Sequence, residues 1–114
     1  MAKDDYHVIV YQILSYLYQC LKKGVEVDGK NIEHNSKYFK INEKYWNYIL
    51  FHMQSCGMIE GIVFVYIDGL DLPYPTMLEK CMITPQGIEY LCDNTLMEKV
   101  KKFLKEINEI VPFS

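Results

Sequence analysis

Two kinds of apolar pattern alternate along this chain, one with helical spacing and one made of β-branched and aromatic runs. From Asp5 to Lys22 the residues Tyr6, Ile9, Val10, Ile13, Leu14, Leu17 and Leu21 fall on one helical face. Val8, Tyr11, Tyr16 and Tyr18 widen it until the segment is apolar nearly all round. That predicts a central helix over about 5–22, capped by Asp4 or Asp5 and stopped at Gly24. Val25 to Val27 predict a short extended piece, and Asp28-Gly29 a turn. Ser36 is placed to cap a short helix over 36–40, with Tyr38, Phe39 and Ile41 facing the core.

Asn42 opens a longer helix, about 42–56. Ile41 and Trp46 can close a hydrophobic staple at its start, and Gly57 supplies the left-handed residue at its end. Its core stripe is Trp46, Ile49, Leu50 and Met53. Met58 to Ile67 favour a strand, Asp68-Gly69 a turn, and Met77 to Ile83 a second strand, while Leu72-Pro73-Tyr74-Pro75 reads as a stiff loop that cannot join a ladder. The two strands, about 58–67 and 77–83, are expected to pair antiparallel as a wing. Thr84-Pro85 starts a helix over 85–93 with Ile88, Leu91 and Cys92 inward. A last helix over 95–110 carries the narrow seam Leu96, Val100, Phe103, Ile107 and Ile110, with Leu104 at its edge. The order predicts one domain, 1–114, mainly α with a two- or three-stranded antiparallel wing: a winged helix-turn-helix with an extra C-terminal helix.

The segments INEKYWNYI, CGMIEGI and ITPQGIEYL resemble the YjcQ-like family of small bacterial and prophage winged-helix proteins, over essentially the whole chain. Ile83, Pro85, Gly87, Tyr90 and Leu91 are similar to the end of the wing in PadR- and MarR-like regulators, with Ile83 where those have Leu. The resemblance implies a winged-helix fold and a DNA-binding, transcription-regulating role in a bacterium or its prophage.

Charge complicates that role. The chain has 12 Lys, no Arg and 15 acidic residues, a net charge of −3, whereas nucleic-acid binders favour a basic face and Arg for guanine. Between residues 30 and 44, however, Lys30, Lys37, Lys40 and Lys44 outnumber Glu33 and Glu43. The face of helix 42–56 opposite its core stripe mixes Lys44, Asn47, Tyr48, Phe51, His52, Gln54 and Ser55, a composition suited to contact. The DNA-binding candidates are therefore Lys37, Lys40, Lys44, Asn47, Tyr48, Phe51 and Ser55, with Lys44 for phosphate or guanine, Asn47 for adenine, Phe51 for a thymine methyl, and Tyr48 and Ser55 offering hydroxyls, that of Tyr48 to phosphate. The wing segment from Ile67 to Pro75 carries Asp68 and Asp71 and no Lys, which opposes a phosphate backbone. A winged-helix module that binds protein is the alternative. The terminal seam Leu96, Val100, Phe103, Ile107 and Ile110 is expected either to pack within the chain or to join a homodimer.

Catalytic patterns are poor: there is no GxSxG serine, phosphate-binding glycine loop, HExxH or CxxC. His52 and Cys56 stand one helical turn apart but lack a second ligand pair, so no metal, cofactor or enzymatic activity is expected. Cys20, Cys56, Cys81 and Cys92 are widely spaced on apolar faces and read as free thiols of a cytoplasmic protein. The longest apolar runs fall far short of a membrane span, and no membrane partner is expected.

Overall fold

In a computed structural model that describes residues 1–112, the apolar first segment becomes α1, Tyr6–Lys23, and the other elements gather around it. Val8, Ile9, Val10, Ile13 and Leu14 are wholly buried, each burial of this size contributing roughly 1.5–3 kcal/mol. Gly24 ends the helix at φ 67°, its N–H donating to the Leu21 carbonyl. Asp5 holds the N-cap position without capping the helix; its carboxylate accepts the Ala2 N–H at 2.8 Å instead.

No helix forms over 36–40. The Ser36 hydroxyl accepts the N–H groups of Tyr38 at 3.1 Å and Phe39 at 3.2 Å, while the Ser36 N–H donates to the Phe39 carbonyl. Asn35 and Lys40 bridge across the resulting turn. A serine can close such a local turn as readily as it caps a helix. The other turn of this connection is a single 3₁₀ turn, Gly29–Asn31, with Asp28 accepting the Lys30 N–H. Val25 to Val27 form no strand. The helix expected to precede helix 42–56 is thus replaced by turns.

α2, Glu43–Ser55, starts where Asn42 Oδ1 accepts the Tyr45 N–H at 2.9 Å. Trp46, Ile49, Leu50 and Met53 are buried as the spacing predicts, and the Trp46 indole donates to the Ile32 carbonyl at 2.8 Å. After it the chain departs from the expected long strands. β1, Ile59–Glu60, pairs antiparallel with β4, Met82–Ile83; β2, Val63–Val65, pairs antiparallel with β3, Tyr74–Thr76. The break falls at Gly61, which has φ 96° and sits so close to the Lys80 carbonyl that a Cβ would collide with it. Leu78–Lys80 forms a 3₁₀ turn rather than strand. Pro75, expected to stay out of any ladder, lies in β3 opposite Phe64, a position open to proline in a two-stranded ribbon, where strand edges carry no further partner strand.

α3, Pro85–Cys92, is capped by Thr84, whose Oγ1 accepts the Gly87 N–H at 3.0 Å and whose hydroxyl reaches the Gly57 carbonyl. α4, Thr95–Glu106, is capped by Asn94, which accepts from Leu96 and Met97. It stops at Glu106 rather than near residue 110. Its buried stripe is Met97, Val100 and Leu104, set between α1 and α3, while Leu96 and Phe103 are half-buried and Ile107 and Ile110 exposed. The four cysteines are free, but Cys56 and Cys92 are exposed, against the inward placement expected for Cys92. The whole is mainly helical with a wing-like hairpin, a winged-helix-like fold. Among the described residues no helix is long and apolar enough to cross a membrane.

Gly87 is buried where α3 approaches the chain at Met58, and an added Cβ would strike the Met58 carbonyl and the Ile83 side chain. Gly87→Ala is expected to lower unfolding free energy by about 3 kcal/mol or more, because backbone oxygen cannot yield as a side chain can. Urea denaturation of the two proteins measures this; a loss below about 1 kcal/mol would contradict the close approach.

Candidate interaction surface

The outer face of α2 does not stand free. The β2–β3 hairpin folds back over one side of it, and three contacts fasten the two together. The Gln54 amide donates to the Ile62 carbonyl at 2.8 Å and accepts the Ile62 N–H at 3.0 Å. The Phe51 ring meets the Phe64 ring edge-on, with centroids 5.5 Å apart. Lys44 Nζ lies 3.9 Å from Asp71 Oδ2, an exposed pair that water screens.

The expected DNA-contacting residues consequently part into three groups. Lys44, Tyr48 and Ser55 share an exposed strip of α2 with His52, whose ring lies 4.4 Å from that of Tyr48. Asn47 and Phe51 are turned into the hairpin contact: Phe51 is half-buried and Asn47 only 8% exposed, so neither presents a free edge for a base. Lys37 and Lys40 are exposed but line another cleft, of about 510 Å³, with Lys3, Asp4, Gln12 and Glu109. There Lys3 pairs with Glu109 and the Lys37 ammonium lies over the Tyr38 ring. Periodicity alone could not reveal the covering, since the spacing that marks one face of α2 as outer is blind to a hairpin arriving later in the chain.

Two features escaped the sequence reading. The first is the hairpin and its tip, where Val63, Val65, Tyr66, Ile67 and Leu70 are all exposed, Tyr66 at 80%, with Ile67 and Leu70 beside α2. The signal was present: from Gly61 to Glu79 the chain has Asp68, Asp71 and Glu79 and no Lys. The second is the burial of Asn47. Its Oδ1 is enclosed without a hydrogen-bond partner among the described residues, which costs about 1–3 kcal/mol in a packed site. Among the described residues, no three His, Cys, Asp or Glu side chains gather to hold a metal ion.

On the other flank of α2 lies a patch of tyrosines. The Tyr45 hydroxyl donates to the Asp4 carbonyl at 2.7 Å. Burial raises the Tyr6 phenol above its ordinary value, and the nearby Cys56, Tyr90, Tyr48 and Tyr45 add to the effect. Burial likewise raises Tyr11, Tyr16, Tyr45, Tyr74 and Tyr90, and pushes the Cys81 thiol up to about 12. These groups are neutral when protonated, so above its own ordinary value each ionises first in the unfolded chain and draws the equilibrium toward unfolding. Stability is expected to be flat between about pH 7 and 8.5, then to fall as pH rises past the ordinary thiol value and past about 10 for the tyrosines. Urea denaturation across that range tests it; unchanged stability up to about pH 11 would contradict the burial of these groups.

Comparison with curated proteins finds no match, and comparison with solved structures finds none either. The family model described as "YjcQ protein" matches residues 11–110, from the middle of α1 past the end of α4. The chain therefore belongs to the YjcQ family.

Proposed function

We propose that this protein is an interaction module of winged-helix-like fold that docks a protein partner on the outside of its hairpin and the exposed strip of α2. The observation that carries the reading is the hairpin: five large apolar side chains exposed together on a segment with acidic residues and no Lys. Such a surface is costly to leave in water and repels a phosphate backbone, yet suits an apolar protein face with a basic rim. Tyr66, the most exposed of the five, is the expected anchor. The exposed free thiols of Cys56 and Cys92 suit a reducing compartment, and we place the protein in the cytoplasm. A homodimer through the outer side of α4 would use Phe103, Ile107 and Ile110, with Leu96 at its margin and Val100 confined to the chain's own core.

The second reading is DNA binding and transcription regulation, favoured by the exposure of Lys44, Tyr48 and Ser55 along α2 and of Lys37 and Lys40 beside it. Against it stand the net charge of −3, the absence of Arg, and the burial of Asn47.

Two measurements separate the readings. Mixed duplex DNA is titrated at about 50 and 200 mM salt, and a photo-crosslinking residue is placed at position 66 in the native host. The first reading predicts DNA binding no tighter than about 1 µM at the higher salt, with a discrete protein adduct that disappears when Ile67→Asp is added. Tight, saturable DNA binding that Lys44→Ala and Tyr48→Ala abolish would replace it with the second.

A further inference from the structure

The β2–β3 hairpin has two outer edges, and its residues make them unequal. Pro75 stands opposite Phe64 in the register, and a proline has no N–H to give. Val63 and Val65, opposite Thr76 and Tyr74, therefore form the pairs that share backbone hydrogen bonds. The middle pair turns its backbone groups outward, one residue to each edge. On the β3 edge that residue is Pro75, which bars a further strand. On the β2 edge it is Phe64, which keeps both an N–H and a C=O and has no strand beside it.

One end of this edge is already met in the way a strand would meet it. Residues two apart in an extended chain face the same way, so the Ile62 backbone points to the same side as that of Phe64. There the Gln54 amide donates to the Ile62 carbonyl and accepts the Ile62 N–H. One donor and one acceptor on a planar amide are what a single residue of a neighbouring strand offers. Gln54 thus stands in for one residue of a third strand, and Phe64 is the next position along the same line. Val63 and Val65 on either side of it are exposed apolar residues.

Charge decides what fits. Exposed carboxylates bracket the edge, Glu60 before it and Asp68 after it, and no Lys lies between Gly61 and Glu79. A second copy that paired its own β2 antiparallel about Phe64 would bring Asp68 of that copy toward Glu60, and like charges oppose such pairing. A segment with basic ends is favoured instead.

We propose that the partner binds here by strand addition: an extended segment of alternating apolar residues, with Lys or Arg at its ends, pairs with β2 along Phe64 and continues the line that Gln54 begins. The inference rests on the reading that the hairpin docks a protein, and it gives the form in which that protein arrives. Backbone bonds to Phe64 hold the segment, Val63 and Val65 cover its apolar side chains, and Glu60 and Asp68 draw its basic ends.

The test uses the full isotope-labelled chain and three capped peptides: KVTVTVK, the same peptide with its three central amides N-methylated, and the same peptide with both Lys replaced by Glu. In the free protein at tens of micromolar the Phe64 amide is expected to exchange with solvent much faster than those of Ile62 and Val65. KVTVTVK at millimolar concentration should shift the Phe64 amide saturably and slow its exchange, and it should bind at least about tenfold more tightly than either analogue. No shift at Phe64, equal binding of the N-methylated peptide, or a Phe64 amide that still exchanges freely at saturation would overturn strand addition. Equal binding of the Glu peptide would overturn the basic segment, and a Phe64 amide already protected in the free protein would put a second copy on this edge in place of the partner. The photo-crosslink at position 66 judges the docking separately: an adduct alongside any of these results removes only the strand mode, whereas lack of any adduct removes the docking reading itself.

Discussion

Ile62 gives both of its backbone hydrogen-bonding groups to one side chain, the amide of Gln54. A backbone N–H and C=O buried at a strand break must find partners, and here a helix residue supplies both. The consequence is geometric. With Gly61 at φ 96° seated against the Lys80 carbonyl, and Ile62 held on α2, the run from Met58 to Ile67 bends instead of continuing as one strand. Its second half, paired with Tyr74–Thr76, is laid along the helix that the spacing had marked as outward-facing.

The parts of the fold legible in the sequence are those decided locally. Asn42 and Thr84 cap where their side chains predict, Gly24 ends α1, and the stripe Trp46, Ile49, Leu50, Met53 is buried. What was not legible was decided by elements distant in sequence. Ser36 had two local uses of similar strength, and the turn is the one that forms, closed by the Asn35–Lys40 bridge. The spacing of α4 marked Leu96, Val100, Phe103, Ile107 and Ile110 as its apolar seam. Packing between α1 and α3 chose Met97, Val100 and Leu104 over Leu96, Phe103, Ile107 and Ile110. The candidate site followed the same rule: Tyr48 and Ser55 lie exposed where the helical period put them, whereas Asn47 and Phe51 were claimed by the hairpin.

That claim shapes the functional reading. A bare α2 flanked by lysines would have offered its whole outer face; an α2 partly roofed by an acidic, apolar hairpin offers a different surface. The three lysines expected to contact DNA divide between two places, Lys37 and Lys40 in the cleft with Glu109 and Lys44 beside Asp71, so carboxylates offset part of their field at each.

The central claim is that the hairpin rests on α2 through Gln54 and Phe51, and nuclear Overhauser spectroscopy of the labelled chain tests it directly. Cross-peaks between the Phe51 and Phe64 rings are expected, with a Gln54 side-chain amide protected from solvent exchange at neutral pH. Absence of those cross-peaks together with a freely exchanging Gln54 amide would mean that the hairpin stands away from the helix.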